Sequence, residues 1–259
     1  GTTNWPVPTA GTASTIDDLW HAAINGHGQY FSGKDPSTLK DGLTAALNDI
    51  VGREGAAAAV TVSNNNVTAN DNSSYSSSFH GGNWTGDLQA YPINLTTGIP
   101  DTNAPLWTTS AQAQLDALTW TNRKIGSFSG SAGIPFTWAS LSTGQKATLH
   151  TPPSGTDGAT VLNFLRGDRS LEGTTYRTRS HVLGDIINAE SVYVAAPIYS
   201  YADSGYSAYK TANASRAKMV YQAANDGMLH AFSAGAGGGA EQWAYVPGLL
   251  FDSKLPSNA

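Results

Sequence analysis

The stretch of sequence that decides the fold is MVYQAANDGMLHAF, residues 219–232. An apolar run rich in β-forming residues leads into Asn225-Asp226-Gly227, and a run that alternates apolar and polar side chains follows. Asp-Gly between two such runs is a strong signal of a β-hairpin, because the tight turn requires a positive φ, which glycine adopts without a steric cost. A Gly-rich connection and Trp243 come next. This order of hairpin, connection and tryptophan is typical of one blade of a β-propeller.

A second copy of this pattern lies earlier in the chain. Residues 86–91, GDLQAY, match residues 227–232, GMLHAF, by residue type: Gly, any residue, Leu, polar, Ala and aromatic. A tryptophan follows each copy, Trp107 after the first and Trp243 after the second. Repeats of this kind indicate a radial β architecture. In both copies we expect aspartate to bond its own backbone at a tight turn. The predicted turn residues of the two blades are Gly86, Asp87, Asp226 and Gly227.

Helical signals surround these blades. Thr15 can cap the free N–H groups of a helix that runs to Asn25, and Pro36 suits the first position of a second helix. Residues 137–149 and 159–165 also have helical character. We therefore predict a mainly β fold of incomplete β-propeller-like blades with helical insertions, preceded by a short helical segment.

The character of the sequence changes near residue 56, from helical to β. The predicted domains are a lead-in and helical segment over residues 1–59 and the β region over residues 60–259. Propellers contain about four to eight blades of roughly 40 residues each. Because about two blade-like copies are visible, we expect the chain to be a segment of a larger protein.

Composition excludes several classes of function. Charged residues make up 13% of the chain, and the net charge is -5. Nucleic acid is excluded as a partner, because neutralising phosphates requires clustered Lys and Arg. The sequence contains no run of apolar residues long enough to cross a membrane, and no signal peptide is visible. With no cysteine, disulfides and thiolate metal sites are ruled out.

The residues that could carry chemistry do not combine into a catalytic site. No Gly-x-Ser-x-Gly nucleophile elbow occurs, and the aspartates fit no arrangement of paired carboxylates. His230 stands alone in an alternating strand, and we interpret it as a hydrogen-bonded structural histidine. Asp101 and Asn103 lack the remaining spacing of a calcium loop, so no catalytic or metal residue is predicted.

Short motifs spread over most of the chain carry a family resemblance. They are DDLWHAAING, QYF, WTGDLQAY, FLRGD, LGDIIN and AYVP, at residues 17–26, 29–31, 84–91, 164–168, 183–188 and 244–247. With these motifs and the opening stretch, the chain resembles the PilC/PilY family of type IV pilus tip-associated adhesins. The resemblance implies that residues 14–55 end a von Willebrand factor A-like domain. It implies that residues 60–259 begin a modified β-propeller.

The same resemblance implies a function. The chain is expected to be a non-catalytic part of an adhesion and assembly protein that supports pilus biogenesis, surface adhesion and twitching motility. Its implied location is extracellular, at the pilus tip or the outer surface of a Gram-negative-type bacterium. The implied partners are minor pilins, a host or abiotic surface receptor and the rest of its own propeller. No cofactor is expected in this chain, and calcium, where the family uses it, belongs to the parent protein.

Two further interpretations remain open at this stage. Arg166-Gly167-Asp168 is an RGD tripeptide, which acts in adhesion when it lies on an exposed loop and is otherwise an ordinary helix end. The opening stretch also resembles the blade repeat of quinoprotein dehydrogenases, which hold pyrroloquinoline quinone and calcium on the propeller axis. The Gly-rich turn at residues 234–240 departs from the Thr-Gly of that repeat. A propeller segment of such an enzyme is therefore the alternative prediction.

Overall fold

A computed structural model describes residues 7, 9–12, 14–25, 40, 44, 54–55, 61–62, 72–81, 83–149 and 157–251. The chain divides into two compact units, Gly1–Arg53 and Glu54–Ala259, a few residues before the predicted boundary. The first unit contains helix α1, Ser14–Asn25, which confirms the helix predicted near Thr15. The second helix predicted from Pro36 lies almost wholly outside the described residues.

The second unit begins with a sheet built around one long hairpin. Its strands are β1 (Glu54–Gly55), β2 (Thr61–Val62), β3 (Ser73–His80) and β4 (Thr85–Pro92). β3 pairs antiparallel with β4 along its whole length, from Ser73 opposite Pro92 to His80 opposite Thr85. β1 and β2 pair with opposite ends of β3. Leu88 and Ala90 alternate with less buried residues along β4, so one face of this hairpin enters the core.

The second sheet contains six strands. They are β5 (Ile125–Phe128), β6 (Gly133–Pro135), β7 (Val192–Val194), β8 (Met219–Ala224), β9 (Met228–Ser233) and β10 (Glu241–Val246). Their order across the sheet is β6-β5-β10-β9-β8-β7. All neighbours are antiparallel except β10 and β5, which run parallel. The predicted hairpin of residues 219–232 is confirmed as β8 and β9.

Helices fill the connections between strands of the second unit. They are α2 (Ala111–Ala117), α3 (Thr143–Leu149), α4 (Gly158–Leu165) and α5 (Tyr206–Ala212). In the described part of this unit, 3-10 helices also form at Trp120–Asn122, Trp138–Ser140 and Gly248–Phe251. α4 begins where the carboxylate of Asp157 accepts a hydrogen bond from Ala159 N at 3.2 Å. These insertions confirm the predicted fold class of a mainly β chain with helices between its strands.

Two apolar clusters hold the second unit together. One joins β5 and β10 to α3 and α4, and Phe136 and Phe164 are among its largest members. The other contains Tyr75 and Leu88 of the first sheet together with Phe232 of the second. The two hairpins therefore share one core, as neighbouring blade elements are expected to do.

The two tryptophans of the predicted repeat are not equivalent in the structure. Trp107 is fully buried in a loop before α2, and its indole N–H donates to the Gly235 carbonyl at 2.8 Å. Trp243 lies in β10, is 38% exposed and packs against Tyr221. The repeat therefore covers the hairpin strands, whereas the connection that follows each hairpin places its tryptophan differently.

Candidate functional site: a polar cleft between two hairpins

Residues 183–186, here called the linking segment, join the two hairpins. Thr85 at the start of β4 forms an isolated antiparallel bridge with Gly184. On the other side, the Asn225 N–H donates to the Asp185 carbonyl at 2.9 Å, and the Gly184 N–H donates to Asp226 Oδ2 at 3.3 Å. Four motifs quoted for the family resemblance therefore converge here, because β4, the end of α4, the linking segment and the turn after β8 line one cleft.

Two glycines allow this close approach. A Cβ on Gly86 would lie 2.6 Å from the Gly184 carbonyl oxygen, and a Cβ on Gly184 would overlap the backbone nitrogen of Asp226. No side chain fits at either position without moving backbone atoms. Gly86 in β4 and Gly184 in the linking segment therefore let the linking segment pack directly between β4 and the turn after β8.

Two of the four predicted turn residues lie in a turn, and the other two lie in a strand. Gly86 and Asp87 lie within β4, because His80 pairs with Thr85 and the turn of this hairpin therefore ends before Thr85. This corrects the prediction that they form a turn. Asp87 Oδ1 instead accepts a hydrogen bond from the Gln112 N–H of α2 at 3.0 Å, and burial raises the pKa of this carboxyl.

Asp226 and Gly227 lie in the turn between β8 and β9. Gly227 has a φ of 88°, the left-handed conformation that the Asp-Gly turn requires. Asp226 Oδ1 accepts a hydrogen bond from the Met228 N–H at 3.0 Å, the local backbone contact expected of a turn aspartate. Its other contacts reach into the core, where they join a group of buried charges.

A chain of four charged side chains runs beneath the turn. Asp226 Oδ2 lies 3.0 Å from His230 Nε2, and His230 Nδ1 lies 2.7 Å from Glu241 Oε1. Arg123 completes the chain by donating to both oxygens of Glu241, at 2.8 and 2.7 Å. His230, Glu241 and Arg123 are almost completely buried. Two cations and two carboxylates therefore balance one another inside the fold.

These contacts change how the groups titrate. Burial alone would lower the pKa of His230, but the carboxylates of Asp226 and Glu241 outweigh it and raise that pKa to about 9. Burial alone would raise the pKa of Glu241, but Arg123 and His230 outweigh it and lower that pKa to about 2. The pKa of Asp226 is lowered for the same reason. At neutral pH the network is fully charged, and it ties Arg123, β9 and β10 together.

The sequence predicts that His230 is a hydrogen-bonded structural residue but identifies none of its partners. For Asp226 the sequence does contain a clue, because Asp226 lies four residues before His230 at the tight turn. Glu241 opens the next strand, and Arg123 lies more than a hundred residues away. The antiparallel pairing of β9 with β10, and the pairing of β10 with β5, which begins two residues after Arg123, bring these groups together.

The cleft above this network has a volume of about 540 Å³. Its wall includes Trp84, Arg177, His181, Asp185 and Asn225. A 2.6 Å contact between His181 Nδ1 and Asp116 Oδ2 orients the histidine ring, and the Asn225 amide donates to Asp185 Oδ2 at 2.7 Å. The cleft therefore presents one exposed aromatic ring together with polar side chains, of which His181 and Asn225 are held in place by neighbouring carboxylates.

The RGD tripeptide forms the end of α4. Arg166 is 6% exposed, and its guanidinium donates to the carbonyls of Phe136 and Arg123 at 2.7 and 3.3 Å. Gly167 follows with a φ of 112°, and Asp168 Oδ1 accepts from the Ser170 N–H at 3.0 Å. An adhesion motif needs its guanidinium on an exposed loop, and here this group is committed to backbone oxygens in the interior.

Metal-binding clusters and membrane-spanning helices are both absent from the described part of the chain. No group of three or more His, Asp or Glu side chains there could hold a metal ion. Among the same residues, no helix has the length and apolar character to cross a membrane.

The linked hairpins, the helical insertions and the shared core define a mainly β protein built from propeller-like elements. Residues 183–258 match the family described as the PilY1 beta-propeller domain. That range includes the linking segment, β8, β9 and β10. No solved structure shows significant similarity to the chain.

Curated relatives extend the match to nearly the whole chain. The Type IV pilus biogenesis factor PilY1 of Pseudomonas aeruginosa strain PAK is 36% identical over 97% of this chain and 23% of its own length. A Type IV pilus biogenesis factor PilY1 homolog of Xylella fastidiosa strain Temecula1 is 37% identical over 67% of this chain and 14% of its own length. The resemblance is thereby confirmed, and the chain belongs to the PilC/PilY family. It spans about a quarter or less of the length of these relatives.

Proposed function

We propose that the chain is a non-catalytic segment of a type IV pilus biogenesis factor, acting in pilus assembly, surface adhesion and twitching motility. The observation that carries this proposal is the similarity, over 97% of the chain, to a protein named Type IV pilus biogenesis factor PilY1. The proposed location is the pilus tip or the outer cell surface. The proposed partners are minor pilins, a surface receptor and the rest of the propeller, with any calcium held elsewhere in the parent protein.

The buried charges support the non-catalytic part of the proposal. Catalytic acids and bases need a pKa near the working pH and access to a substrate. His230 and Glu241 are buried and have pKa values of about 9 and about 2, far from neutrality on opposite sides. Both side chains are hydrogen-bonded within the network, so their role is to hold strands together.

A group of four tyrosines, three of them exposed, supports the adhesive part. Tyr199, Tyr201, Tyr206 and Tyr209, here called the tyrosine patch, lie in the long connection between β7 and β8. Successive rings of the patch are 4.9–5.8 Å apart. Arg216 donates to the Tyr209 hydroxyl at 2.7 Å and anchors one end of the patch. Tyrosine gives large contact area at low conformational cost, so it is enriched at binding surfaces.

A deletion and complementation experiment tests the proposal. In the bacterium that encodes the chain, loss of the full-length protein is expected to abolish surface pili and twitching. A full-length variant carrying Tyr201→Ser and Tyr209→Ser should restore both but attach poorly to surfaces. Leu249→Ser, at an exposed apolar residue outside the patch, is the matched control and should attach normally. Normal piliation and twitching in the deletion strain would overturn the assembly role, and normal attachment of the tyrosine variant would overturn the role of the patch.

The quinoprotein alternative has its own test. The purified full-length protein is loaded with pyrroloquinoline quinone and calcium and assayed for dye-linked alcohol oxidation. We expect no activity above a control without quinone. Turnover that depends on the quinone would instead identify the chain as part of a dehydrogenase.

A further inference from the structure

Trp84 occupies a backbone position that disfavours it. It is the last residue of the connection between β3 and β4, and its φ is 52°. A bulky side chain is rare in this left-handed region, where glycine is unstrained. Burial does not compensate, because the side chain is 64% exposed. The local backbone therefore favours glycine at this position, and folding gives no evident reason for a tryptophan.

The indole lies on the wall of the polar cleft described above. Arg177 and Asn225 line the same cleft, as does His181, whose ring is held by Asp116. The volume of about 540 Å³ falls within the roughly 300–1,000 Å³ of small-molecule sites. Strained residues that persist without a packing reason cluster at ligand clamps. The strain at Trp84 and the cleft beside it therefore point to one site.

We propose that this cleft binds a saccharide. A sugar ring has a face of C–H groups, which stacks on an exposed indole, and a rim of hydroxyl groups, which pair with planar amide, imidazole and guanidinium groups. Trp84 supplies the stacking surface, and Arg177, His181 and Asn225 supply the polar partners. The inference goes beyond the proposed pilus function and does not depend on it.

The composition of the cleft favours a saccharide over a peptide. An extended peptide is usually held by the free edge of a strand and by apolar pockets for alternate side chains. Here the wall combines a single exposed aromatic ring with polar side chains from the 177–185 segment and the turn after β8, and its apolar members are almost fully buried: Phe164, Leu165, Val182 and Leu183. Neutral hydroxyl-rich ligands match such a mixed wall without requiring a buried counter-charge.

The test exploits the strain at Trp84. The full-length protein is applied to an array of defined neutral and acidic oligosaccharides, and every hit is titrated in solution. Trp84→Gly is expected to lose at least tenfold in affinity while its melting temperature stays the same or rises, because glycine relieves the backbone. Trp84→Phe keeps an aromatic face and should bind within a few-fold of the wild type. Trp20→Ala removes an indole that is 50% exposed, belongs to helix α1 and lies outside the cleft lining, and it should bind normally.

Each outcome decides the proposal. The proposal is supported if Trp84→Gly loses binding at undiminished melting temperature while Trp84→Phe and Trp20→Ala keep it. Lack of binding of the wild type to any oligosaccharide overturns it, as does equal binding by Trp84→Gly. Selection of peptides in place of sugars from a parallel peptide library would overturn it as well. A strain carrying Trp84→Gly should still assemble pili, so failure of the saccharide site is distinguishable from failure of the pilus role.

Discussion

His230 Nε2 lies 3.0 Å from Oδ2 of Asp226, so the β8–β9 turn is bonded to a strand that leaves it. The other ring nitrogen contacts Glu241, so one imidazole connects the turn to the next strand, β10. An imidazole held by two carboxylates is stable as the cation. The stability of this part of the fold therefore depends on a proton that is retained well above neutral pH.

The first prediction concerns alkaline pH. The pKa of His230 is raised from 6.5 to about 9, so its stabilising contribution is complete below about pH 6.5. It is lost as the pH rises through about 9. We expect the free energy of unfolding, measured by denaturant titration of the purified protein, to fall across this window. In His230→Gln, which cannot bind the proton, the decline should be much smaller, and an identical decline would contradict the assignment.

The acid side of the profile should be governed by Glu241. Its pKa is lowered from 4.5 to about 2, so its contribution is complete above about pH 4.5 and is lost as the pH falls through about 2. We expect a plateau of stability between roughly pH 4.5 and 6.5. Melting temperatures measured in steps across the acid range should show this plateau, and a maximum above pH 9 would be inconsistent with it.

Removing Arg123 should be strongly destabilising. Arg123→Met leaves Glu241 as a buried carboxylate without its guanidinium partner, and breaking such a pair costs about 3–5 kcal/mol. Arg169→Met is the matched control, because Arg169 pairs with Glu172 at 3.2 Å while its side chain is 41% exposed. Glu172 keeps its second partner, Arg179, at 2.8 Å, so the loss of Arg169 should cost clearly less than the loss of Arg123. Chemical denaturation gives the free energy of unfolding of both variants. Equal decreases would show that burial does not make the Arg123 pair more important than the partly exposed one.

A methyl group on the linking segment should separate it from the turn. Gly184→Ala forces a Cβ into the backbone of Asp226, and we expect a loss of about 1–3 kcal/mol. Gly144→Ala is the control, because nothing lies within 4 Å of its Cβ position. In helix α3 that change should be neutral or stabilising by up to about 1 kcal/mol. Thermal unfolding of the two variants should therefore shift in different directions or by clearly different amounts.

The RGD tripeptide yields a prediction about adhesion. Because the guanidinium of Arg166 is bonded to backbone carbonyls in the interior, we expect Asp168→Glu to leave attachment to host cells unchanged. The measurement is cell binding by the full-length protein after circular dichroism has shown native folding. A clear loss of attachment in this variant would restore the exposed-loop interpretation.

The sequence was most informative where local rules operate. The Asp-Gly turn after β8 is set by the local backbone, so the hairpin of β8 and β9 could be predicted from it. The alternation of Leu88 and Ala90 indicates a strand at β4 but does not locate the turn that precedes it. Helix α4 was predictable too, since Asp157 and the apolar run after it are adjacent in sequence. Gly86 was misplaced because its requirement for glycine comes from contact with Gly184, which no local pattern encodes.

Long-range contacts account for what could not be predicted. Trp107 and Trp243 follow similar hairpins, yet one reaches the Gly235 carbonyl 128 residues away and the other remains in a strand. Arg123 likewise meets Glu241 across 118 residues. In each case the residue type indicated a polar or aromatic contact, and only the tertiary fold could identify its partner.

The parallel pairing of β5 with β10 has a consequence for how the protein is made. The Ser127 hydroxyl bonds to the Val246 carbonyl, 119 residues later. At about 5–20 residues per second, the ribosome takes roughly 6–24 s to deliver that partner. Until then one side of β5 is an open strand edge, which can pair with another chain. A chaperone that shields nascent β5 during this interval should raise the yield of soluble protein.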